Sequence, residues 1–427
     1  MNKKTLLIIL IFFTAFSLFG QSSSADDRYE IKLAVIGPGD ELYFWWGHIG
    51  LLIKDSRTGS ERFYDWGIFS FDNENFFVNF AFGRLIYTCG SSPSEWNFLH
   101  YLNTNRDITL YTLDLPPEKK EEILRYAEWN IQPENKDYFY HHFDDNCATR
   151  IRDILDMALN GQFSERYGEM PGRYTFRQHV RRHTWFNPFC DWMLCFLMGK
   201  GIDRPVTVWE EMFLPAEIGN RADEFYYTAP DGSQKKLVSK IEVLNRAVKR
   251  PIVLDVPRRQ WPRELAAGCL IALIFALLLF YKEKKKPAAV CWALGQGILG
   301  FFFGFMGLIL FFMTFFTNHD YTYNNINVLF VNPLLLAALP FGIGFVRQKT
   351  PEARRKREIL IKALWTYVFA FGLISILINA LPSMRQQNWV DLALIMPPAA
   401  VLSLITFKGQ LHKPVSDSQA DKQSRRR

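Results

Sequence analysis

The chain has 427 residues, of which 49% are hydrophobic and 22% charged, and its formal net charge is +7. This length is sufficient for two or more domains. The apolar residues are concentrated in residues 263–407, whereas residues 21–262 have an ordinary soluble composition. This uneven distribution excludes both a wholly soluble chain and a chain embedded in a membrane throughout.

The N-terminus has the pattern of a secretory signal. Two lysines precede an apolar run from Leu6 to Phe19, and small polar residues follow. This pattern predicts a signal peptide over residues 1–20, with cleavage near Gly20. An uncleaved membrane anchor is the alternative, and both interpretations place the next domain, residues 21–262, outside the cytoplasm.

The exported domain begins with segments that alternate between apolar and polar residues. The stretches "YEIKLAVIG", "HIGLLIKD" and "ERFYDWGIF" are predicted to form three strands of a meander. A further strand, "DITLYTLDL", ends at Pro116 and Pro117, and "PEKKEEILRYAEWNI" then starts a helix with proline and glutamate in its first turn. The domain is therefore predicted to be α+β.

A second predicted helix begins at Cys147. Asp145 or Asn146 is placed to cap it, and Ile151 and Leu155 belong to its apolar stripe. The positive end of a helix lowers the pKa of a thiol, and its free N–H groups bind an oxyanion. Cys147 is therefore a candidate nucleophile if a base lies nearby. The alternatives are a small buried side chain or a metal ligand beside His141, His142 and Asp144.

His48 is the preferred candidate for the base, because it starts a strand on the side opposite the apolar residues of that strand. Asp65 on the neighbouring strand is placed to orient His48 as the third member of a triad. His141 and His142, just before Cys147, are alternatives for that third place or for substrate contact. Pairing among Cys89, Cys190 and Cys195 is left open by their spacing.

Five later segments have the length and apolarity of membrane spans. They are residues 263–281, 289–316, 327–346, 358–379 and 389–407. Lysine and arginine are concentrated after the first and third spans and in the tail, residues 408–427. In the loops after the second and fourth spans, Arg385 is the only lysine or arginine. The positive-inside rule then predicts a multi-pass membrane protein whose basic loops are cytoplasmic and whose first span starts outside the cytoplasm, in agreement with the exported domain before it. This distribution explains much of the positive charge without a nucleic-acid partner.

The periplasmic loop "TNHDYTYNNIN" places several polar side chains at the end of a span, among them His319 and Asn325. It is predicted to bind a phosphate headgroup or to complete the active site, and the alternative is an ordinary solvated hairpin.

The order of "WGHIGLLI", "FYDWGIF" and "YFYHHFDDNCATRIRDIL" resembles the permuted papain-like fold of NlpC-type and lecithin–retinol acyltransferase-type enzymes. The whole layout, with five helices after the thiol domain, is similar to the Bacteroides-type lipoprotein N-acyltransferases. The resemblance implies a permuted papain-like (NlpC-type) periplasmic domain followed by an all-α five-helix transmembrane domain. It also implies Cys147 as nucleophile and His48 as base, with Asp65 fitting the third place by position.

The activity implied by this resemblance is transfer of a fatty acyl chain through a cysteine thioester, without a cofactor or a metal. The acyl donor would be a membrane phospholipid, and the acceptor would be the α-amino group of the diacylglyceryl-cysteine of a lipoprotein. We expect substrate contacts from His141, His142, Asn146, Arg150, His319 and Asn325. The competing hypotheses are a membrane-anchored Cys-His hydrolase of lipid esters or cell-wall peptides, and a non-enzymatic scaffold.

Overall fold

The computed structural model describes residues 27–71 and 75–404. The predicted signal peptide and basic tail lie outside the described residues. The described residues form two compact units, one that ends at Phe176 and resumes over Pro205–Val253, the other made of Arg177–Arg204 and the residues from Leu254 onward. The boundary predicted near residue 262 therefore differs from the boundary of the units, and the segment at 177–204 belongs with the apolar helices.

The first unit is built on a seven-stranded antiparallel sheet with the strand order β6-β4-β3-β2-β1-β5-β9. A separate hairpin pairs β7 with β8. The strands are β1 Tyr29–Ile36, β2 His48–Asp55, β3 Glu61–Ile68, β4 Ile86–Pro93, β5 Ile108–Leu113, β6 Asp137–Phe139, β7 Tyr226–Thr228, β8 Gln234–Lys236 and β9 Val238–Asn245. The four strands predicted from alternation correspond to β1, β2, β3 and β5 and are confirmed.

The helices of this unit lie in the connections between strands. They are α1 Phe76–Ala81, α2 Ser94–Asn103, α3 Pro117–Asn130, α4 Cys147–Ala158, α5 Gln162–Tyr167, α8 Val208–Glu211 and α9 Pro215–Glu224. The predicted helices after Pro116 and at Cys147 are therefore confirmed as α3 and α4. At the end of the first segment, α6 Phe176–Thr184 begins.

Each face of the sheet has its own apolar core. On one face, Ile49 and Leu51 of β2 pack in the same cluster as Ile151 and Leu155 of α4. On the other face, Leu52 belongs to a smaller cluster with residues of β1, β3, β5 and α2. Because burial of such a side chain contributes about 1.5–3 kcal/mol, the α4 stripe is sufficient to hold this helix against the sheet.

The second unit is helical. Its helices are α6, α7 Pro188–Leu197, α10 Trp261–Tyr281, α11 Lys286–Phe316, α12 Ala338–Arg347, α13 Pro351–Asn379 and α14 Trp389–Ser403. Trp192 and Phe196 of α7 lie in the apolar core of this unit, which explains why residues 177–204 group with it.

Four helical segments of this unit are long and apolar enough to cross a membrane, and they match the first four predicted spans. The third, Ile326–Arg347, is not one continuous α-helix, because short 3-10 turns precede α12. The fifth predicted span corresponds to α14, whose 15 described residues are shorter than the usual length of a span. All six cysteines are free thiols.

Candidate active site

Cys147 is the first residue of α4, and Asn146 is its N-cap. The Asn146 side-chain oxygen accepts hydrogen bonds from the N–H groups of Ala148 and Thr149, at 2.8 and 2.9 Å. Thr149 completes a capping box by accepting from the Asn146 N–H. The cap therefore uses two of the N–H groups expected to bind an oxyanion. The Cys147 N–H has no acceptor among the described residues and is left for that role.

His48 and Asp65 meet across the paired strands β2 and β3. His48 Nε2 lies 2.6 Å from Asp65 Oδ1. His48 starts β2 opposite Ile36, and Asp65 pairs with Gly50, two residues further along β2. This register places both side chains on one face of the sheet, as the alternation predicted. Cys147 interacts electrostatically with the His48 imidazole and contributes to raising its pKa, so the structure brings together the three residues predicted to form the triad.

The electrostatics of this group favour a charged imidazole. Burial lowers the pKa of His48, but the Asp65 carboxylate and the negative form of Cys147 outweigh it and raise the pKa from 6.5 to about 10. An imidazolium ion held between two anionic partners is the form expected for a thiolate–imidazolium pair. A thiolate is the nucleophilic form of cysteine, so this arrangement suits attack on a carbonyl carbon.

A bulge in β3 opens the space for this contact. The register of β3 against β4 shifts between Trp66 and Ile68, and Gly67 between them has φ of +87°, which favours glycine. A Cβ on Gly67 would lie 3.7 Å from the Cys147 Cβ. Gly67 therefore faces the start of α4 and has no side chain that would occupy the space beside Cys147.

Two tyrosines complete this side of the site. If Gly67 carried a Cβ atom, that atom would lie 3.5 Å from Tyr140 Cε2 and 3.9 Å from the Tyr138 hydroxyl. The Tyr138 hydroxyl is buried and has no hydrogen-bond partner among the described residues. Burial raises the pKa of Tyr138, so its hydroxyl remains a donor at neutral pH. A buried donor without a protein acceptor beside a nucleophile suits the stabilisation of an oxyanion.

Arg106 is a further charged group that sequence reasoning missed. Its Nε donates to the Gly37 carbonyl at 2.9 Å, and its guanidinium lies 4.6 Å from the Phe44 ring and 5.2 Å from the Tyr101 ring. Its two Nη atoms are buried without an acceptor in the described part of the chain. Burial lowers the pKa of Arg106, whereas Cys147 is among the groups that raise it.

The other residues predicted around Cys147 take different positions. Asn146 is buried, and its amide donates to the carbonyls of His142 and Phe213, at 2.8 and 3.0 Å. Arg150 forms a bidentate pair with Asp145 and covers the ring of Tyr138, 4.2 Å from its centre.

Both histidines lie in the loop before α4. The His141 imidazole lies 3.2 Å from the Asp144 carboxylate, and the His142 ring lies 5.5 Å from that of Tyr140. The triad contact with His48 is made by Asp65 rather than by either of them. Among the described residues, no three His, Cys, Asp or Glu side chains are grouped as a metal ion would require.

His319 and Asn325 lie in the second unit, where Asn325 is part of a buried network. Its amide donates to the carbonyls of Phe196 and Leu197, and its oxygen accepts from Gln386 at 2.9 Å. His319 precedes a 3-10 turn, and its carbonyl accepts from Thr322. Within this unit, the loop asparagine therefore connects the end of α7 to the segment before α14.

A signal for Tyr138 is present in the sequence, since it lies in the short aromatic run before Cys147. Nothing in the sequence distinguishes its hydroxyl from that of Tyr140. Arg106 carries no local signal, because its neighbours along the chain are those of an ordinary turn before a strand.

Comparison with protein families gives two matches in the order of the two units. Residues 17–182 match the Lnb N-terminal periplasmic domain, and residues 261–396 match the Lnb transmembrane domain. No curated protein and no solved structure gives a match, so the papain-like permutation stays a prediction. The matches identify a membrane protein with a periplasmic domain that processes lipoproteins. The chain therefore belongs to the Lnb family of lipoprotein N-acyltransferases.

Proposed function

We propose that this protein transfers a fatty acyl chain from a membrane phospholipid to the α-amino group of a lipoprotein's diacylglyceryl-cysteine, through a thioester on Cys147. The observation that carries the proposal is the grouping of Asp65 and Cys147 around the His48 imidazole, with Cys147 at the start of a capped helix. Asp65 is the positioning residue, and the other two are the catalytic residues. Membership of the family supplies the class of acceptor.

In the first half-reaction, the Cys147 thiolate attacks the carbonyl carbon of a phospholipid ester. The negative charge that develops on the carbonyl oxygen is stabilised by the Cys147 N–H and the Tyr138 hydroxyl. When the carbon–oxygen bond of the ester breaks, the His48 imidazolium gives its proton to the departing oxygen of the lysophospholipid. Cys147 is then a thioester, and His48 is neutral.

In the second half-reaction, the free amine of the lipidated cysteine attacks the thioester carbon. His48 accepts a proton from the amine as the carbon–nitrogen bond forms, and the carbon–sulfur bond then breaks. The products are an amide and the original thiolate–imidazolium pair, so protons and charges balance over the cycle. A thioester suits an amine acceptor, because it reacts with amines faster than an oxygen ester does.

The membrane helices support a location for this chemistry at a bilayer. Four helical segments of the second unit have the length and apolarity of spans, and both substrates are lipids anchored in a bilayer. We propose that the bilayer is the inner membrane and that the first unit faces the periplasm, in agreement with the basic loops after the first and third spans.

The test is expression of the full chain in cells depleted of their own lipoprotein N-acyltransferase. The measured quantity is the mass of the N-terminal peptide of a reporter lipoprotein. Wild type is expected to add a third acyl chain, whereas Cys147→Ser and His48→Ala are expected to leave the peptide diacylated. The matched control is Cys89→Ser, because Cys89 is a buried thiol of the same unit that donates to the Asn130 carbonyl, as a serine hydroxyl also would.

A diacylated peptide with the wild-type protein, when that protein is present in the membrane, would contradict the transferase proposal. Free fatty acid or cleaved wall peptide would then identify the hydrolase instead. Triacylation by the Cys147→Ser protein would contradict the thioester route.

A further inference from the structure

The first unit exposes a continuous group of aromatic rings. We call it the aromatic surface and define it as Tyr43, Phe69, Phe71, Phe76, Phe77 and Phe80. Within it, the Phe69 ring centre lies 5.3 Å from that of Tyr43 and 5.2 Å from that of Phe71, and Phe71 lies 5.1 Å from Phe76. The rings therefore form one connected patch from the loop before β2 to α1.

Helix α1, at the centre of this surface, exposes its apolar side chains to the outside of the unit. Phe77 is 70% exposed and Val78 is 56% exposed, whereas the polar Asn79 between Val78 and Phe80 is only partly exposed. A surface helix of a soluble protein normally turns its apolar stripe toward the core. Contiguous exposed apolar residues of this kind mark an interaction surface.

The aromatic surface is continuous with the active site. Phe69 lies 5.0 Å from Tyr87, and Tyr87 stacks on Tyr140 at 4.2 Å. Tyr140 and Cys147 both lie within 4 Å of the position that a Cβ atom on Gly67 would occupy. An apolar path of aromatic rings therefore leads from the exposed patch to the nucleophile.

Lipid is the occupant that the chemistry of this surface favours. Residues 75–83 contain no charged side chain, and the exposed Arg84 follows them, 6.0 Å from the Phe82 ring. Aromatic rings flanked by a cation are typical of segments that lie in the interfacial zone of a bilayer. Asp72 and Glu74 also precede this helix in the sequence, outside the described residues.

The first unit is covalently connected to the unit of apolar helices, and this connection also supports membrane lipid as the occupant of the aromatic surface. The chain passes between the first unit and the unit of apolar helices three times, at residues 176–177, 204–205 and 253–254. A surface tethered in this way meets lipid at a high effective concentration, so even a weak apolar patch is sufficient for contact.

We propose that the aromatic surface contacts the acyl chains of the bilayer and guides a membrane lipid along the Phe69–Tyr87–Tyr140 path to Cys147. The proposed contact with lipid is inferred from the exposed rings alone. The proposed delivery of that lipid to Cys147 rests on the proposed function.

The test is photo-crosslinking of the full chain in lipid nanodiscs of phosphatidylethanolamine and phosphatidylglycerol. A benzophenone amino acid replaces Phe77 in one variant and Trp129 of α3 in the control, because Trp129 is also an exposed aromatic residue of the first unit, at 55%. Intact-protein mass spectrometry then measures lipid adducts after irradiation. We expect at least about fivefold more adduct at residue 77 than at residue 129.

Equal adduct at both positions, or crosslinks from residue 77 to protein, would overturn lipid contact. In the same nanodiscs, Phe77→Ser is expected to slow formation of the Cys147 thioester about tenfold, since insertion of the ring is lost, and Trp129→Ser is expected to leave the rate unchanged. An unchanged midpoint of thermal unfolding identifies folded variants. An unchanged rate for folded Phe77→Ser would overturn delivery.

The failure of the two proposals is distinguishable. Lipid adducts at residue 77 without any thioester in the wild-type protein would contradict the proposed function, and with it delivery, while leaving lipid contact in place. A thioester in the wild-type protein without adducts at residue 77 would contradict this inference alone.

Discussion

Replacing Asp65 with asparagine is expected to weaken the thiolate–imidazolium pair without changing the size of the side chain. The carboxylate lies 2.6 Å from His48 Nε2. The amide keeps a polar partner there and removes the negative charge. After the opposing effect of burial, Asp65 is the first of the groups that raise the pKa of His48, ahead of Cys147.

The magnitude follows from the pKa of His48. A rise from 6.5 to about 10 corresponds to roughly 5 kcal/mol in favour of the imidazolium over the neutral ring. If Asp65 supplies half of this preference, its loss lowers the pKa of His48 by roughly 2 and reduces the ratio of the charged pair to the neutral pair roughly 50-fold. The two forms contain the same number of protons, so this ratio is set by the charge of Asp65 and not by pH.

The assay is the rate of alkylation of Cys147 by iodoacetamide between pH 5 and pH 10, measured by peptide mass spectrometry on the detergent-solubilised full chain. The pKa of His48 describes the loss of a proton from its positively charged imidazolium. Because this pKa is raised to about 10, the imidazolium of the wild-type protein persists through neutral pH and is lost only as pH approaches about 10. The wild-type rate is therefore expected to be high and flat across neutral pH. The Asp65→Asn rate is expected to fall at least about tenfold at pH 7 and to rise with pH like that of an ordinary thiol.

The matched control is Asp153→Asn. Asp153 is an exposed carboxylate on α4 that pairs with Arg152, and its replacement is expected to leave the profile unchanged. A wild-type profile for Asp65→Asn would refute the reasoning, because the carboxylate would then act only through its position.

Three further replacements test the surroundings of Cys147. Tyr138→Phe is expected to slow thioester formation about 100-fold without lowering the thermal midpoint, because its buried hydroxyl has no partner to lose among the residues that the structure describes; a wild-type rate would remove the hydroxyl from the oxyanion site. Gly67→Ala is expected to destabilise the protein by about 1–2 kcal/mol in thermal unfolding, since its φ is +87°, and an unchanged midpoint would mean that the bulge relaxes at no cost. Asn146→Ala is expected to cost about 2–4 kcal/mol, because two helix N–H groups and two carbonyls lose their partner; a loss below 1 kcal/mol would contradict this account of the cap.

The sequence alone determined the features that depend on neighbours along the chain. Alternation over "HIGLLIKD" predicted β2, and the position of Cys147 after two candidate caps predicted the start of α4. Long apolar runs predicted the first four spans. Each of these features repeats with the period of a strand or a helix, or needs about 20 apolar residues in a row, and so it is visible in one dimension.

The tertiary structure decided what comes together across the sheet. His48 and Cys147 are separated by about 100 positions, and their contact depends on the register of β2 and β3, the bulge at Gly67 and the packing of α4. Within the described part of the chain, the same packing leaves the Tyr138 hydroxyl without a hydrogen-bond partner, whereas Asn325, in the other unit, is used in an internal network. No local pattern encodes which polar group keeps an unused hydrogen bond, because that depends on every neighbour that folding brings to it.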